Sequence, residues 1–254
     1  MVKPKKHLGQ HFLTDLVIAE KIVEALEVDS SSSVLEIGPG EGVLTDFLMA
    51  KKNIELTLIE IDPESIFHLN LNYINRDVKI IEGDFLKMDL DDIFAEKSLK
   101  IIGNFPYNIS SQIMFKVFEN RDQVIGLVGM FQKEVAKRIA APPGSKTYGI
   151  LSVLIQAYYS VEYILDVPPE VFNPPPKVHS GVIKLQRNDR SKLPMSDNDF
   201  KKIVKMAFGQ RRKTLRNSLR GALGDKVLPE KFTMQRPEQL SVDDFLELAI
   251  FLKD

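Results

Sequence analysis

The chain has 254 residues, 44% hydrophobic and 27% charged, enough for one large domain or a large and a small one. It contains no cysteine, which excludes disulfides, thiolate metal sites and a cysteine nucleophile and is compatible with a reducing cytoplasm. The formal net charge of -1 hides an asymmetry: residues 201–220 carry eight Lys or Arg and no Asp or Glu, and a basic block on an otherwise acidic chain points to a polyanionic partner.

The first residues, MVKPKKHLGQHFL, are basic but lack the apolar core of an export signal. No apolar run approaches the ~18 residues of a membrane span. Apolar runs at 34–37, 56–60, 78–82, 99–103 and 125–131 predict strands. Stretches between them, at 44–51, 65–73 and 110–119, have helical spacing. This alternation predicts the α/β class: a Rossmann-like, mostly parallel sheet with helices on both faces. A helical stretch at 149–157 precedes two further strands, 159–165 and 178–185. They are joined by VPPEVFNPPPK, too rich in proline for a helix or a central strand. RNDRSKLP, residues 187–194, reads as a polar linker. Beyond it the pattern predicts only helices: 197–208, 213–223, a weaker one at 229–232, and 242–252. Ser241 is the expected cap of the last, with Asp243 and Asp244 in its first turn. Two domains are expected, 1–187 and a small all-helical 188–254.

The first strand runs into Glu36-Ile37-Gly38-Pro39-Gly40-Glu41-Gly42. Glycines at a strand's carboxyl end let the backbone turn sharply and approach a ligand. The spacing is G-x-G-x-G, not the dinucleotide G-x-G-x-x-G, which makes Gly38 and Gly40 candidate cofactor contacts. Glu60 ends the second strand, where a carboxylate can accept both hydroxyls of a ribose. The third ends in Glu82-Gly83-Asp84-Phe85, where Asp84 can accept from an adenine amino group. No G-x-x-x-x-G-K-[ST] loop is present to cradle phosphates, so adenosine with a small tail fits better than a pyrophosphate. S-adenosylmethionine meets that description, and these motifs resemble those of class I S-adenosylmethionine-dependent methyltransferases.

The fourth strand ends in Gly103-Asn104-Phe105-Pro106-Tyr107. The lone pair of an adenine N6 amino group is delocalised into the ring, so acceptors on its two hydrogens would favour a tetrahedral, nucleophilic nitrogen. The Asn104 side-chain oxygen offers one acceptor. The Phe105 carbonyl, fixed by Pro106, offers the other. Tyr107 can stack on the base, which must leave its own stack to enter. Phe172, in the proline-rich loop, is a candidate second stacking face.

Arg212, Arg216 and Arg220 are spaced by four, so they are expected to share one helix face, and Leu215, Leu219 and Leu223 another. With Lys205, Arg211 and Lys213 nearby, the block is expected to bind RNA phosphates rather than read bases.

HLGQHFL (7–13), VLEIGPGEGVLT (34–45), EGDFL (82–86), GNFPYNISS (103–111), FQKEVAKRI (131–139), FNPPPKVHS (172–180) and FGQRRKTLRNSL (208–219) follow one another along the whole chain. In that order they resemble the KsgA/RsmA family of small-subunit ribosomal RNA adenine dimethyltransferases. The resemblance implies N6,N6-dimethylation of two adjacent adenosines in the 3′-terminal hairpin of 16S-type rRNA, within an assembling small subunit. It also implies cofactor contacts at His11, Leu13, Gly38, Glu60, Asp84 and Asn104. Bacterial relatives often have Asn at position 11, and Leu or Ile at position 105. The expectation is a cytoplasmic monomer that needs neither metal nor membrane. Two alternatives stay open: a large-subunit rRNA adenine dimethyltransferase of the antibiotic-resistance type, and a non-catalytic ribosome-assembly factor. FGQRRKTLRNSL and HLGQHFL favour the small-subunit group.

Overall fold

The computed structural model describes residues 2–29, 31–95 and 97–253. It divides into two compact units. One is the chain up to Ala136 together with Val161–Arg187; the other is Lys137–Ser160 together with the chain from Asn188.

The first unit opens with a two-residue strand, β1 (Phe12–Leu13), and helix α1 (Leu16–Ala25), capped by the Asp15 carboxylate. Then come β2 (Ser33–Ile37), α2 (Val43–Met49), β3 (Glu55–Glu60), α3 (Pro63–Asn72), β4 (Lys79–Glu82), α4 (Leu90–Phe94), β5 (Leu99–Asn104), α5 (Ser110–Glu119), β6 (Val124–Gln132) and α6 (Lys133–Ile139). After α7 (Ile150–Gln156) come β7 (Tyr159–Val167), the short β8 (Phe172–Asn173) and β9 (Ser180–Arg187). Seven strands form one sheet in the order β4-β3-β2-β5-β6-β9-β7, with helices on both faces. The pairs β2–β3, β3–β4, β2–β5 and β5–β6 are parallel, while β9 runs antiparallel to β6. The central strands are buried on both faces, as β2, burying all five residues, illustrates.

The order reverses at β2. Successive strands go outward through β3 and β4, and the chain then crosses to β5 and β6 on the other side. Ligands bind at such a switch point, outside the carboxyl ends of the strands. Here those ends are Ile37, Glu60, Glu82 and Asn104.

Strands β1 and β8 were not legible in the sequence. They exist only as each other's partner, pairing Phe12 with Asn173 and Leu13 with Phe172. Two residues carry no period, so no sequence pattern announces them.

In the second unit, α7 is joined by α8 (Asp197–Phe208), α9 (Leu215–Ser218), α10 (Arg220–Leu223), α11 (Glu230–Thr233) and α12 (Val242–Lys253). The expected cap of α12 is present as a capping box: Ser241 Oγ accepts from the Asp244 amide, and the Asp244 carboxylate accepts from the Ser241 amide. The expected continuous helix over 213–223 is instead two single turns broken at Leu219, with φ -100° and ψ 4°. Residues 137–160, expected with the first domain, pack with the C-terminal helices. Tyr158 Oη donates to Asp197 at 2.6 Å, and the Gly144 amide donates to the Glu238 carbonyl at 2.7 Å. The reason lies in α7, which buries Leu151, Ser152, Val153, Leu154 and Ile155 in succession. A helix apolar all round needs cover on every side, and its sequence does not say which segments supply it.

Candidate active site

A cavity of about 310 Å³ lies in the first unit at the switch point. Its walls are the turns after β2, β3, β4 and β5, closed by an N-terminal strap from His7 to Phe12. The size suits a nucleoside-sized ligand. Two carboxylates, Glu60 and Asp84, face it, and among the described residues no Lys or Arg lines it. That electrostatics favours a cationic ligand and disfavours a phosphate.

The turn after β2 requires its glycines. Gly38 and Gly40 have φ of 67° and 59°, left-handed values that other residues adopt only with strain. At Gly40 the Phe12 ring also sits where a side chain would go, its Cε1 only 2.7 Å from an ideal Cβ position. Phe12 and the glycine turn therefore form one wall.

Glu60 ends β3 and is 4% exposed. Its Oε2 accepts from the Gly40 amide at 3.0 Å, and its Oε1 from the amides of Ile61 and Asp62 at 2.8 and 2.9 Å. Burial pushes its pKa up, and the three amides oppose that shift. The result is a carboxylate held in one orientation with acceptor capacity remaining. Behind it lies Glu36, 1% exposed, accepting from Thr45 Oγ1 at 2.7 Å. Burial pushes Glu36 up to about 8, with the neighbouring charges of Glu60 and Asp46 adding to the shift.

Asp84 caps the 3-10 turn Phe85–Lys87, accepting from the Leu86 amide at 3.0 Å. Asn104 ends β5, and its Nδ2 donates to the His11 carbonyl at 2.8 Å. That bond assigns the nitrogen to the strap and leaves Oδ1 as the free end of the amide. The Phe105 ring is 1% exposed and packs on Phe131, 5.1 Å between centroids. The Phe105 amide donates to the Met130 carbonyl at 3.2 Å, and the Pro106 carbonyl accepts from the Ile109 amide and Ser110 Oγ. None of these bonds uses the Phe105 carbonyl. Tyr107 Oη lies 2.6 Å from Ser180 Oγ, and its ring stacks on His11 with centroids 5.7 Å apart at 23°. His11 Nδ1 is 2.7 Å from the Pro174 carbonyl, tying the strap to the proline-rich loop.

His11, Gly38, Gly40, Glu60, Asp84, Asn104, Phe105, Pro106 and Tyr107 thus share one cavity. Leu13 and Phe172 do not line it. They face each other across the β1–β8 pair, 4% exposed each, in the hydrophobic core. Strand alternation is the cause: it turns Phe12 to the cavity and Leu13 to the core, and leaves Asn173 outside while Phe172 goes in. Phe172 is therefore not available as a stacking face. Beside His11, which was expected at the site, the strap residues His7 to Gln10 and Phe12 also form this wall. The only signal there was the HLGQHFL motif itself.

The basic residues belong to the second unit. Lys205 is exposed in the last turn of α8. Arg212 and Lys213 precede α9, Arg216 lies on α9 and Arg220 on α10, all four exposed. Arg212 therefore shares no helix face with Arg216. Arg211 is pinned within its own unit, reaching the Ser145 and Lys146 carbonyls at 3.4 and 2.5 Å and lying 3.8 Å from the Glu238 carboxylate. The apolar footing of Leu215, Leu219 and Leu223 is buried. Among the described residues no cluster of three or more His, Asp or Glu could hold a metal ion, and no helix is long and apolar enough to cross a membrane.

The model of the ribosomal RNA adenine dimethylase family matches residues 1–254. The chain belongs to this family. Among curated members of the ribosomal RNA adenine dimethylases, a ribosomal RNA small subunit methyltransferase A from Parabacteroides distasonis is 54% identical over 98% of this chain and 94% of its own. The protein of the same name from Porphyromonas gingivalis is 53% identical, covering 99% and 98%. Among solved structures, a dimethyladenosine transferase from Plasmodium falciparum has a TM-score of 0.79 at 28% identity, covering 94% of this chain and 96% of that one. The 23S rRNA methyltransferase ErmE has a TM-score of 0.70 at 24% identity, with coverage of 96% and 100%, a likeness of fold alone. The fold is that of the class I methyltransferases.

Proposed function

We propose that this protein dimethylates the N6 amino groups of two adjacent adenosines in the 3′-terminal hairpin of 16S-type rRNA, using S-adenosylmethionine. The observation that carries the reading is the Asn104 side chain, whose nitrogen is committed to the His11 carbonyl while its oxygen is left as an acceptor in a cavity bearing Glu60 and Asp84. Family membership over the whole chain, with relatives named small subunit methyltransferases, supports the RNA target.

The residues present fit the cofactor. Glu60 would take the ribose hydroxyls, Asp84 the adenine amino group, and Gly38 and Gly40 the tail, with the His11 backbone alongside. S-adenosylmethionine, when bound, supplies an electrophilic methyl on a sulfonium, and the acidic lining suits that cation. Asn104 Oδ1 and the Phe105 carbonyl would accept the two amino hydrogens of the target adenine, orienting its lone pair. Pro106 fixes that carbonyl, and Tyr107 offers the ring face that His11 leaves open. Holding both reactants in line supplies up to ~7–11 kcal/mol of the barrier reduction. Lys205, Lys213, Arg212, Arg216 and Arg220 would meet RNA phosphates, with Arg211 bracing its own unit. The reading includes action as a monomer on an assembling small subunit in the cytoplasm, without a metal.

Methyl transfer from labelled cofactor to unmethylated small and large subunits, with the modified base mapped, tests it. Two N6,N6-dimethyladenosines in the 16S-type hairpin are expected. Label confined to large-subunit RNA would favour the antibiotic-resistance type, and no label at all an assembly factor; either overturns the proposal.

A further inference from the structure

We propose that Lys116 is a positioning residue that fixes the adenine-recognising turn of the cofactor site against the helix behind the reaction centre. The inference rests on the cofactor reading above and concerns a side chain that does not line the cavity.

Lys116 lies on α5, the helix that begins three residues after Tyr107. Its Nζ donates to the Phe85 carbonyl at 2.7 Å and to the Met88 carbonyl, and stands 5.0 Å from the centroid of the Phe85 ring. Those carbonyls bracket the turn Phe85–Lys87, capped by the Asp84 carboxylate. One ammonium thus holds both ends of the turn that aims Asp84 and presents Phe85 and Leu86 to the cavity.

The turn needs such a brace. It is a single 3-10 turn, and one turn fixes several torsions for one hydrogen bond. The Met88 amide reaches the Phe85 carbonyl at only 3.4 Å. Charge-assisted bonds from an ammonium are stronger than neutral ones. Burial lowers the Lys116 pKa, while Asp89, Asp84 and Glu119 favour its charged form. Because β5 ends in Asn104 and the chain runs from there into α5, which carries Lys116 in its last turn, the brace also ties the Asp84 wall to the helix behind the reaction centre. A shift of the Asp84 carboxylate would cost the bond by which adenine is told from a purine lacking the 6-amino group, since a site built around a substrate N–H discriminates most by leaving its own acceptor unpaired.

The test is calorimetric binding of S-adenosylhomocysteine and of S-inosylhomocysteine, which carries an oxygen in place of that amino group, to the full-length protein. Lys116→Met is expected to weaken S-adenosylhomocysteine binding about ten-fold and to erase most of the preference over the inosyl analogue, while Lys116→Arg keeps both. Lys116→Gln, which retains a neutral donor, is expected to fall between them and replaces the Met variant if circular dichroism shows that variant unfolded. Affinity within about two-fold of the parent protein with the preference intact would overturn the proposal. So would an equal loss for both ligands, which marks a general structural role. Parent protein that binds neither ligand would instead fail the cofactor reading, and the proposal with it.

Discussion

Asn104 contributes a single oxygen to the cavity because its nitrogen is held by a backbone carbonyl 93 residues away in sequence. Asn104→Ala removes that acceptor and the bond to the strap together. Turnover at saturating cofactor is expected to fall by about 10²–10³-fold, the loss seen when one preorganised polar group is removed from a reaction centre. Single-turnover methyl transfer to unmethylated small subunits measures it. Glu36 gives a pH prediction of definite sign. An unfolded Glu36 releases its proton near 4.5, whereas the folded one holds it to about 8. Between those values the folded state binds the additional proton, so this residue's stabilising contribution is complete below 4.5 and is lost as pH rises through about 8. Glu36→Gln has no proton to lose there, and its melting temperature relative to the parent is expected to climb across that window. A difference independent of pH would contradict the assignment. At this scale the acids and amides at strand ends were legible in the sequence, because chemistry is a property of the residue type. The facing of Leu13 and Phe172 was not, because it follows from a pairing between distant segments.

The N-terminal strap has little regular structure and is tied down at several points. Lys5 forms an ion pair with Asp62, whose side chain is fully buried, and Gln10 Nε2 donates to the same carboxylate at 3.0 Å. Burial alone would raise the Asp62 pKa; the bonds from Lys5 and Gln10 outweigh it and hold the group below its usual value. The Asp62 amide in turn donates to Glu60, so the latch of the strap and the orientation of the Glu60 carboxylate share one residue. Lys5→Met leaves a buried carboxylate without its cation. Faster hydrogen exchange at the amides of Leu8 to Gln10, with β2 unaffected, is the expected result. Lys5 thus serves to hold the strap. The turns α9 and α10 carry Arg216 and Arg220 on separate helices, so each is expected to act as an independent phosphate contact. Changing both to Gln should lower the salt slope of RNA binding by roughly 0.7–0.9 for each phosphate no longer neutralised, read from affinities across a salt series. An unchanged slope would remove these arginines from the interface.

For the whole molecule, the division into units follows burial rather than chain order. Residues 137–160 lie between strands of the first unit in sequence but are covered by the helices after Asn188. A chain ended at Arg187 would keep α7 without α8 and Tyr158 without Asp197. It is expected to aggregate or to melt without cooperativity, as calorimetry would show. A sharp transition at the parent's melting temperature would refute that reading. The expected boundary at 187 marks where the chain re-enters the helical unit, but the earlier excursion has no compositional signal, since α7 is simply apolar.

The amino-acid sequence by itself determined the alternating sheet, the carboxylates at the strand ends, the run from Asn104 to Tyr107 that lines the cavity, and the concentration of positive charge. Each is local: a period of two or 3.6, a glycine spacing, a residue type at the end of an apolar run. Tertiary structure alone decided that the strap closes the cavity, which end of the Asn104 amide faces inward, that Phe172 lies in the core, that Arg211 is spent within its own unit, and that 137–160 join the helices. Each of these is a contact between segments far apart in the chain. No residue's own chemistry names its partner, because the choice depends on which surfaces the rest of the fold leaves to be covered.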